Sequence, residues 1–170
     1  MDILVVVDMQ KDFISGALGT KEAQAILPRV AEKIAQAKKT GKTIVFTRDT
    51  HHENYLDTQE GKNLPVPHCI ENTDGWQLDP TLDTAGAMIF DKPSFGSEAL
   101  VRYLKSLDDL HSAEFVGLCT DICVITNVLS TKCALPELPI SVDSACCAGV
   151  TPQKHEAALE TMRSCQIQGI

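Results

Sequence analysis

Short apolar runs separated by longer amphipathic stretches dominate the hydropathy pattern of this chain. The segment Ile3–Met9 (ILVVVDM) is β-branched and almost continuously apolar, as expected of a strand buried on both faces of a parallel sheet. Four further runs have the same character: Thr43–Thr47, Ala87–Phe90, Glu114–Leu118 and Pro139–Val142. A short sixth strand is expected around Gln166–Ile170. Between the runs lie helical periods. Ile26, Val30, Ile34 and Ala37 share one face before a stop at Gly41, and Leu100, Tyr103, Leu104 and Leu107 follow Ser97. Val124 and Val128 pair after Thr120, and Ala158, Leu159 and Met162 follow Pro152. Alternating strand and helix predicts a three-layer α/β/α fold with a largely parallel six-stranded sheet and right-handed crossovers. With 170 residues there is room for one domain, 1–170. The exception to the alternation is Thr50–Gly86, which is polar, rich in Gly and Pro, and holds three of the five His. A loop of that length in a compact domain is usually functional or disordered.

Charge narrows the function classes. A net charge of -8 argues against a surface for nucleic acid or anionic lipid, because both need clustered Lys and Arg. No apolar run approaches the roughly 20 residues that span a bilayer. Seven Cys, an odd number at scattered spacings, with no charged leader and cleavage site ahead of the first strand, predict a reduced, cytoplasmic protein.

In open parallel sheets the binding crevice lies beyond the carboxyl ends of the strands. The residues that follow each run are therefore the candidates. The first run gives Asp8, Gln10 and Phe13, the second Arg48, Asp49, Thr50 and His51, and the third Lys92. The fourth leads through Cys119 and Thr120 to Cys123 at the start of a helix. Thr120 is expected as the N-cap, and the helix end is expected to lower the Cys123 pKa and to aim its N–H at a developing oxyanion. Asp8 can take the thiol proton and return it to a leaving amine, and Lys92 can hold Asp8 ionised. Taken singly, an Asp or Lys after a strand is more often a solvated loop residue, and a free Cys is commonly a small buried hydrophobe. Cys69, Cys133, Cys146, Cys147 and Cys165 are read that way, with a Cys119–Cys123 redox pair as an alternative. Asp49 and His51, two apart in an extended segment, can point to one side, and His68 follows seventeen residues later. A carboxylate with two imidazoles suits Zn, Fe or Mn. His52 and His111 carry no such signal, and His155 is expected to be structural in the last helix.

The stretches VVVDMQKDF, FTRDTHHENY, KPSFGS, VGLCTDICVITNV and CCAGVTPQKHEAALETM together resemble the isochorismatase-like cysteine hydrolases, and among them the nicotinamidase/pyrazinamidase branch. The resemblance implies that Asp8, Lys92 and Cys123 form a catalytic triad and that the backbone N–H groups of Cys119 and Cys123 form an oxyanion hole. It also implies a cis Leu118–Cys119 bond and a divalent metal, zinc or else iron or manganese, on Asp49, His51 and His68, with Glu60 as a further ligand. The implied reaction is hydrolysis of a small carboxamide such as nicotinamide. Phe13 and Trp76 are the candidate walls for an aromatic ring. Three alternatives stay open: a metal-independent vinyl ether hydrolase of isochorismatase type, an amidase for ureido or N-carbamoyl compounds, and a non-catalytic binding protein. A homo-oligomer, whose neighbouring subunit adds to the pocket walls, is compatible with the sequence.

Overall fold

A computed structural model describes residues 1–170. Strands β1 (Asp2–Val7), β2 (Thr43–Asp49), β3 (Met88–Lys92), β4 (Ser112–Leu118) and β5 (Ile140–Ala148) form one sheet in the order β3-β2-β1-β4-β5. Every pairing is parallel. The expected sixth strand is a correction. Gln166–Ile170 contributes a single bridge, Ser141 to Gln168, because Gln166 (φ 64°) and Gly169 (φ 76°) turn the chain out of the extended region on either side.

Helices α1 (Lys11–Ile14), α2 (Lys21–Lys39), α3 (Gln59–Asn63), α4 (Glu98–Lys105), α5 (Ile125–Ala134) and α6 (Pro152–Ser164) complete the layers. Thr20 caps α2 by accepting the Ala23 N–H at 3.0 Å. That helix begins at Lys21, ahead of the apolar period, and carries Pro28 within it. Its inward face is Ala23, Ile26, Val30, Ile34 and Ala37. Val30 and Ile34 are fully buried, each contributing about 1.5–3 kcal/mol by leaving water.

Successive side chains of a strand point to opposite faces. Leu4 and Val6 of β1 accordingly pack with α2 on one face, and Ile3, Val5 and Val7 pack with α4, α5 and α6 on the other. The whole of Ile3–Val7 is inaccessible to solvent. At the carboxyl end, Val7 is in register with Thr47 on one side and Gly117 on the other, and Asp49 with Lys92. Gly117 has φ 118°, and a Cβ there would collide with the Val7 carbonyl, so only glycine lets β4 lie this close to β1. The strand order reverses at β1, which opens the crevice above the ends of β1 and β4. No helix is long and apolar enough to cross a membrane.

Candidate active site

Asp8 follows β1 with φ 46°, a left-handed conformation that Asp tolerates better than most residues. Its Oδ1 accepts the Thr47 hydroxyl at 2.7 Å. Its Oδ2 lies 2.7 Å from Lys92 Nζ, an ion pair without good hydrogen-bond alignment. The ammonium of Lys92 donates to the Ser94 carbonyl at 2.8 Å, faces Asp49 Oδ1 at 3.3 Å and reaches Cys123 Sγ at 3.5 Å. Asp8, Lys92 and Cys123 are all buried. The three groups expected at one sheet edge are therefore in one cluster, with Lys92 touching both of the others. The Leu118–Cys119 peptide bond is cis.

Electrostatics inside the cluster differ from the expectation for Cys123. Burial pushes its thiol well above the ordinary value, nearby Asp8 pushes the same way, and Lys92 only partly offsets them. A thiol raised in this way calls for a base to ionise it. Burial likewise raises Asp8 against the opposing charge of Lys92. Burial pulls Lys92 down, but the carboxylates of Asp8 and Asp49 outweigh it and raise the ammonium above its ordinary value. The expected cap is also corrected. Residues Thr120–Val124 form a π-helical turn whose cap position is held by Cys119, with no side-chain capping bond. The Thr120 hydroxyl lies instead 2.7 Å from His155 Nδ1.

Beside this cluster, Asp49, His51, Glu60 and His68 bring one ligand atom each within 4.8 Å of one another. The Thr50–Gly86 segment that supplies three of them is folded. A 3-10 turn (Tyr55–Asp57) leads into α3, where Thr58 caps Gly61 N at 3.0 Å and presents Glu60. His51 N donates to the Cys69 carbonyl at 2.9 Å, and Cys69 N to Asp12 Oδ2 at 2.8 Å, which returns His68 to the end of β2. His51 Nε2 is 2.9 Å from Asp49 Oδ2 and 3.5 Å from Glu60 Oε1. His68 Nε2 is 3.6 Å and 3.7 Å from the same two atoms. The Tyr55 ring packs edge-on against both imidazoles, at 4.8 Å and 5.0 Å between centroids. The set fits a divalent cation on two grounds. His51 Nε2 is buried without a well-aligned hydrogen-bond partner. His68 Nδ1 is 2.8 Å from the Val66 carbonyl, so with the proton on Nδ1 the Nε2 lone pair faces the cluster. Two imidazoles and two carboxylates suit Zn, Fe or Mn.

A cavity joins the two groups. Cys119, Cys123 and Ile122 line one side, Asp49, Glu60 and His68 another, and Phe13, Leu18, Leu64 and Phe95 supply apolar wall. Phe13, a candidate wall, lines this cavity. Trp76, the other candidate wall, does not line it: the indole is buried in the core, donates its N–H to Thr50 Oγ1 at 2.9 Å and lies under the Arg48 guanidinium at 3.4 Å. Its size and the polar loop around it suggested a wall, but the indole is fully used in pinning that loop. His52 and His111 are exposed, beside Glu71 and Asp109, and are not part of the cation set.

Two buried amides brace the site: Gln10, a strand-end candidate to which the sequence assigned no task, and Asn127, which it did not single out. Gln10 donates to the Asp49 carbonyl at 2.8 Å and accepts the Asp49 N–H at 2.7 Å, clamping the backbone of that residue. Asn127 accepts Ser97 N at 2.9 Å and donates to the Cys123 carbonyl at 2.8 Å, tying the loop after Lys92 to the Cys123 turn. The available signal was a polar residue on the apolar face that Val124 and Val128 define.

Fold and site together define a class: an open parallel α/β protein with a thiol, a carboxylate and an ammonium at its strand ends, beside a donor set for a divalent cation. The chain belongs to the Isochorismatase domain family, whose model matches residues 2–169. It is 27% identical to the nicotinamidase/pyrazinamidase of Mycobacterium tuberculosis over 192 residues, covering 99% of this chain and 97% of that protein. The crystal structure of a Pyrococcus horikoshii pyrazinamidase in complex with zinc is similar with a TM-score of 0.86 and 31% identity, covering 98% of this chain and 97% of that one. An N-carbamoylsarcosine amidase from Thermoplasma acidophilum shares the fold, at a TM-score of 0.78 and 22% identity over 94% of this chain and 91% of that one.

Proposed function

We propose that this chain is a cysteine amidohydrolase that converts nicotinamide to nicotinate and ammonia. The observation that carries the reading is one lysine ammonium, Lys92, in contact with both the Asp8 carboxylate and the Cys123 sulfur, 2.7 Å and 3.5 Å away. That arrangement suits a thiol that stays protonated until substrate arrives. The nicotinamidase and pyrazinamidase relatives support the choice of substrate.

The Cys123 proton passes to Asp8 as sulfur attacks the amide carbon. Negative charge developing on the carbonyl oxygen is met by the backbone N–H groups of Cys119 and Cys123. Lys92 steadies the thiolate and the carboxylate in turn. Asp8 then delivers its proton to the departing nitrogen, ammonia leaves, and an acyl thioester remains on Cys123. A water deprotonated by Asp8 attacks that thioester, the C–S bond breaks, and nicotinate and the free thiol result. Asp49, His51, Glu60 and His68 would hold a divalent ion, zinc as in the Pyrococcus horikoshii protein. Such an ion supplies a Lewis-acid contact for a ring nitrogen or a water. Phe13 supplies an apolar wall for the pyridine ring. The small amide is the partner in this reading, with no role for nucleic acid or membrane. The enzyme is placed in the cytoplasm, where a reducing medium keeps its seven free thiols.

Ammonia release from nicotinamide and benzamide tests the proposal. Turnover of nicotinamide with a much lower kcat/KM for benzamide, which lacks the ring nitrogen, is the expected result. Equal values would remove the ring nitrogen from recognition, and no ammonia from nicotinamide would overturn the assignment.

A further inference from the structure

The π-helical turn that carries Cys123 has no cap of its own, since Cys119 makes no side-chain capping bond. Single π turns occur mostly at functional sites, and their geometry depends on what surrounds them. Here two bonds tie the turn to the first turn of α6 and to the loop that precedes it. The wholly buried Thr120 places its hydroxyl 2.7 Å from Nδ1 of His155, near the start of α6. The neighbouring Asp121 accepts the Val150 backbone N–H on Oδ1 at 2.9 Å. Gly149 lies between these bonds, and a Cβ there would sit 2.8 Å from His155 N and 2.9 Å from Asp121 Oδ1. Loop and turn therefore touch with no room for a side chain. Neither Thr120 nor His155 lines the substrate cavity.

Oxyanion donors that belong to the main chain have no side-chain rotamer to adjust, so the direction of each N–H is set by the conformation of the turn. Whatever fixes the turn fixes the hole. We propose that the Thr120–His155 hydrogen bond, backed by the Asp121–Val150 bond, is a positioning device that makes the N–H groups of Cys119 and Cys123 converge on one oxygen. This rests on the amidohydrolase reading above. It gives His155 a role that the sequence reading left as structural, and it joins the C-terminal motif AGVTPQKH to the Cys123 motif.

His155→Leu and Thr120→Val each break the bond without touching a reacting group. With nicotinamide, each variant is expected to lose at least about tenfold in kcat, the scale of a sub-ångström misplacement of a catalytic donor, with KM within about threefold of wild type. The two losses should not add in the double variant. His155→Asn puts an amide atom near the Nδ1 position and should recover most of the rate. The discriminating readout is alkylation of Cys123 by iodoacetamide, followed on the Cys123 peptide by mass spectrometry. That displacement occurs at a saturated carbon and develops no oxyanion, so it should keep the wild-type rate in all three variants. Unchanged kcat overturns the proposal. So does an equal fall in kcat and alkylation, or a loss that Asn does not recover, since either marks a merely structural contact. A wild-type protein that releases no ammonia overturns the amidohydrolase reading instead, and this proposal with it.

Discussion

The two halves of the site are built in different ways. Asp8, Lys92 and Cys123 come from the ends of β1, β3 and β4 or the turn just beyond, with β2 between the first two, and the register of the ladder sets their spacing. The cation set has one strand residue, Asp49, and takes His51, Glu60 and His68 from the long segment after it. Asp8 and Lys92 are sealed from water, whereas the Glu60 side chain is 20% exposed. The difference separates a reaction centre fixed by the main chain from a ligand set fixed by loop closure. Asp49 belongs to both, with Oδ1 toward Lys92 and Oδ2 toward the imidazoles.

The comparison can be broken most completely at the thiol. Cys123→Ala should abolish ammonia release while leaving the melting temperature and the zinc content near wild type, because sulfur is not a ligand of the cation set. More than a small fraction of residual kcat would refute the nucleophile assignment.

Asp8→Asn and Lys92→Met come next. Each should lower kcat on the order of a hundredfold or more, the usual scale for losing a general base or a charge stabiliser, and their effects should not add. Lys92→Met should also change zinc affinity through Asp49, and Asp8→Asn should change it less. Equal zinc affinities in the two variants would show that the halves are uncoupled.

His68→Ala should weaken zinc retention at least tenfold in a chelator competition, with His111→Ala unchanged as its control. Circular dichroism should show the sheet intact, since the ladder does not depend on the loop.

A smaller effect follows from pH. Burial alone would lower the His51 pKa, but the neighbouring carboxylates of Asp49 and Glu60 raise it to about 9 in the metal-free protein. Its unfolded value is near 6.5. A raised histidine stabilises the fold fully below the unfolded value, and that contribution is lost as pH rises through about 9. Zinc must displace the same proton. The metal-free melting temperature should therefore drift down between pH 6.5 and 9, while the rise produced by added zinc grows over the same range. A zinc-induced shift independent of pH would contradict the assignment of His51 as a ligand.

The smallest contrast lies in the walls. Phe13→Leu should raise KM for nicotinamide a few-fold, by the loss of ring contact. Trp76→Phe should leave KM alone and lower the melting temperature, since it removes the hydrogen bond to Thr50.

By itself the sequence determined which residues end the buried strands. Period and apolarity are local properties, and a short, β-branched, continuous run such as Ile3–Val7 reads as an inner strand of a covered sheet, with Asp8 at its rim. The Asp49 and His51 pair was legible for the same reason, through the alternation of an extended segment. The tertiary structure decided what depends on distant groups. Glu60 joins Asp49 because α3, capped by Thr58, presents it, and His68 because the Asp12–Cys69 bond folds the loop back. Thr120 turns from a cap into the partner of His155 because β5 and α6 arrive beside it. Trp76 is taken from the pocket by the loop it pins, and Gln166 and Gly169 stop the sixth strand after one bridge. The Cys123 thiol is raised, not lowered, because burial and the charge of Asp8 outweigh a helix end. Desolvation and loop closure are summed over the whole fold, and a local pattern carries no information about that sum.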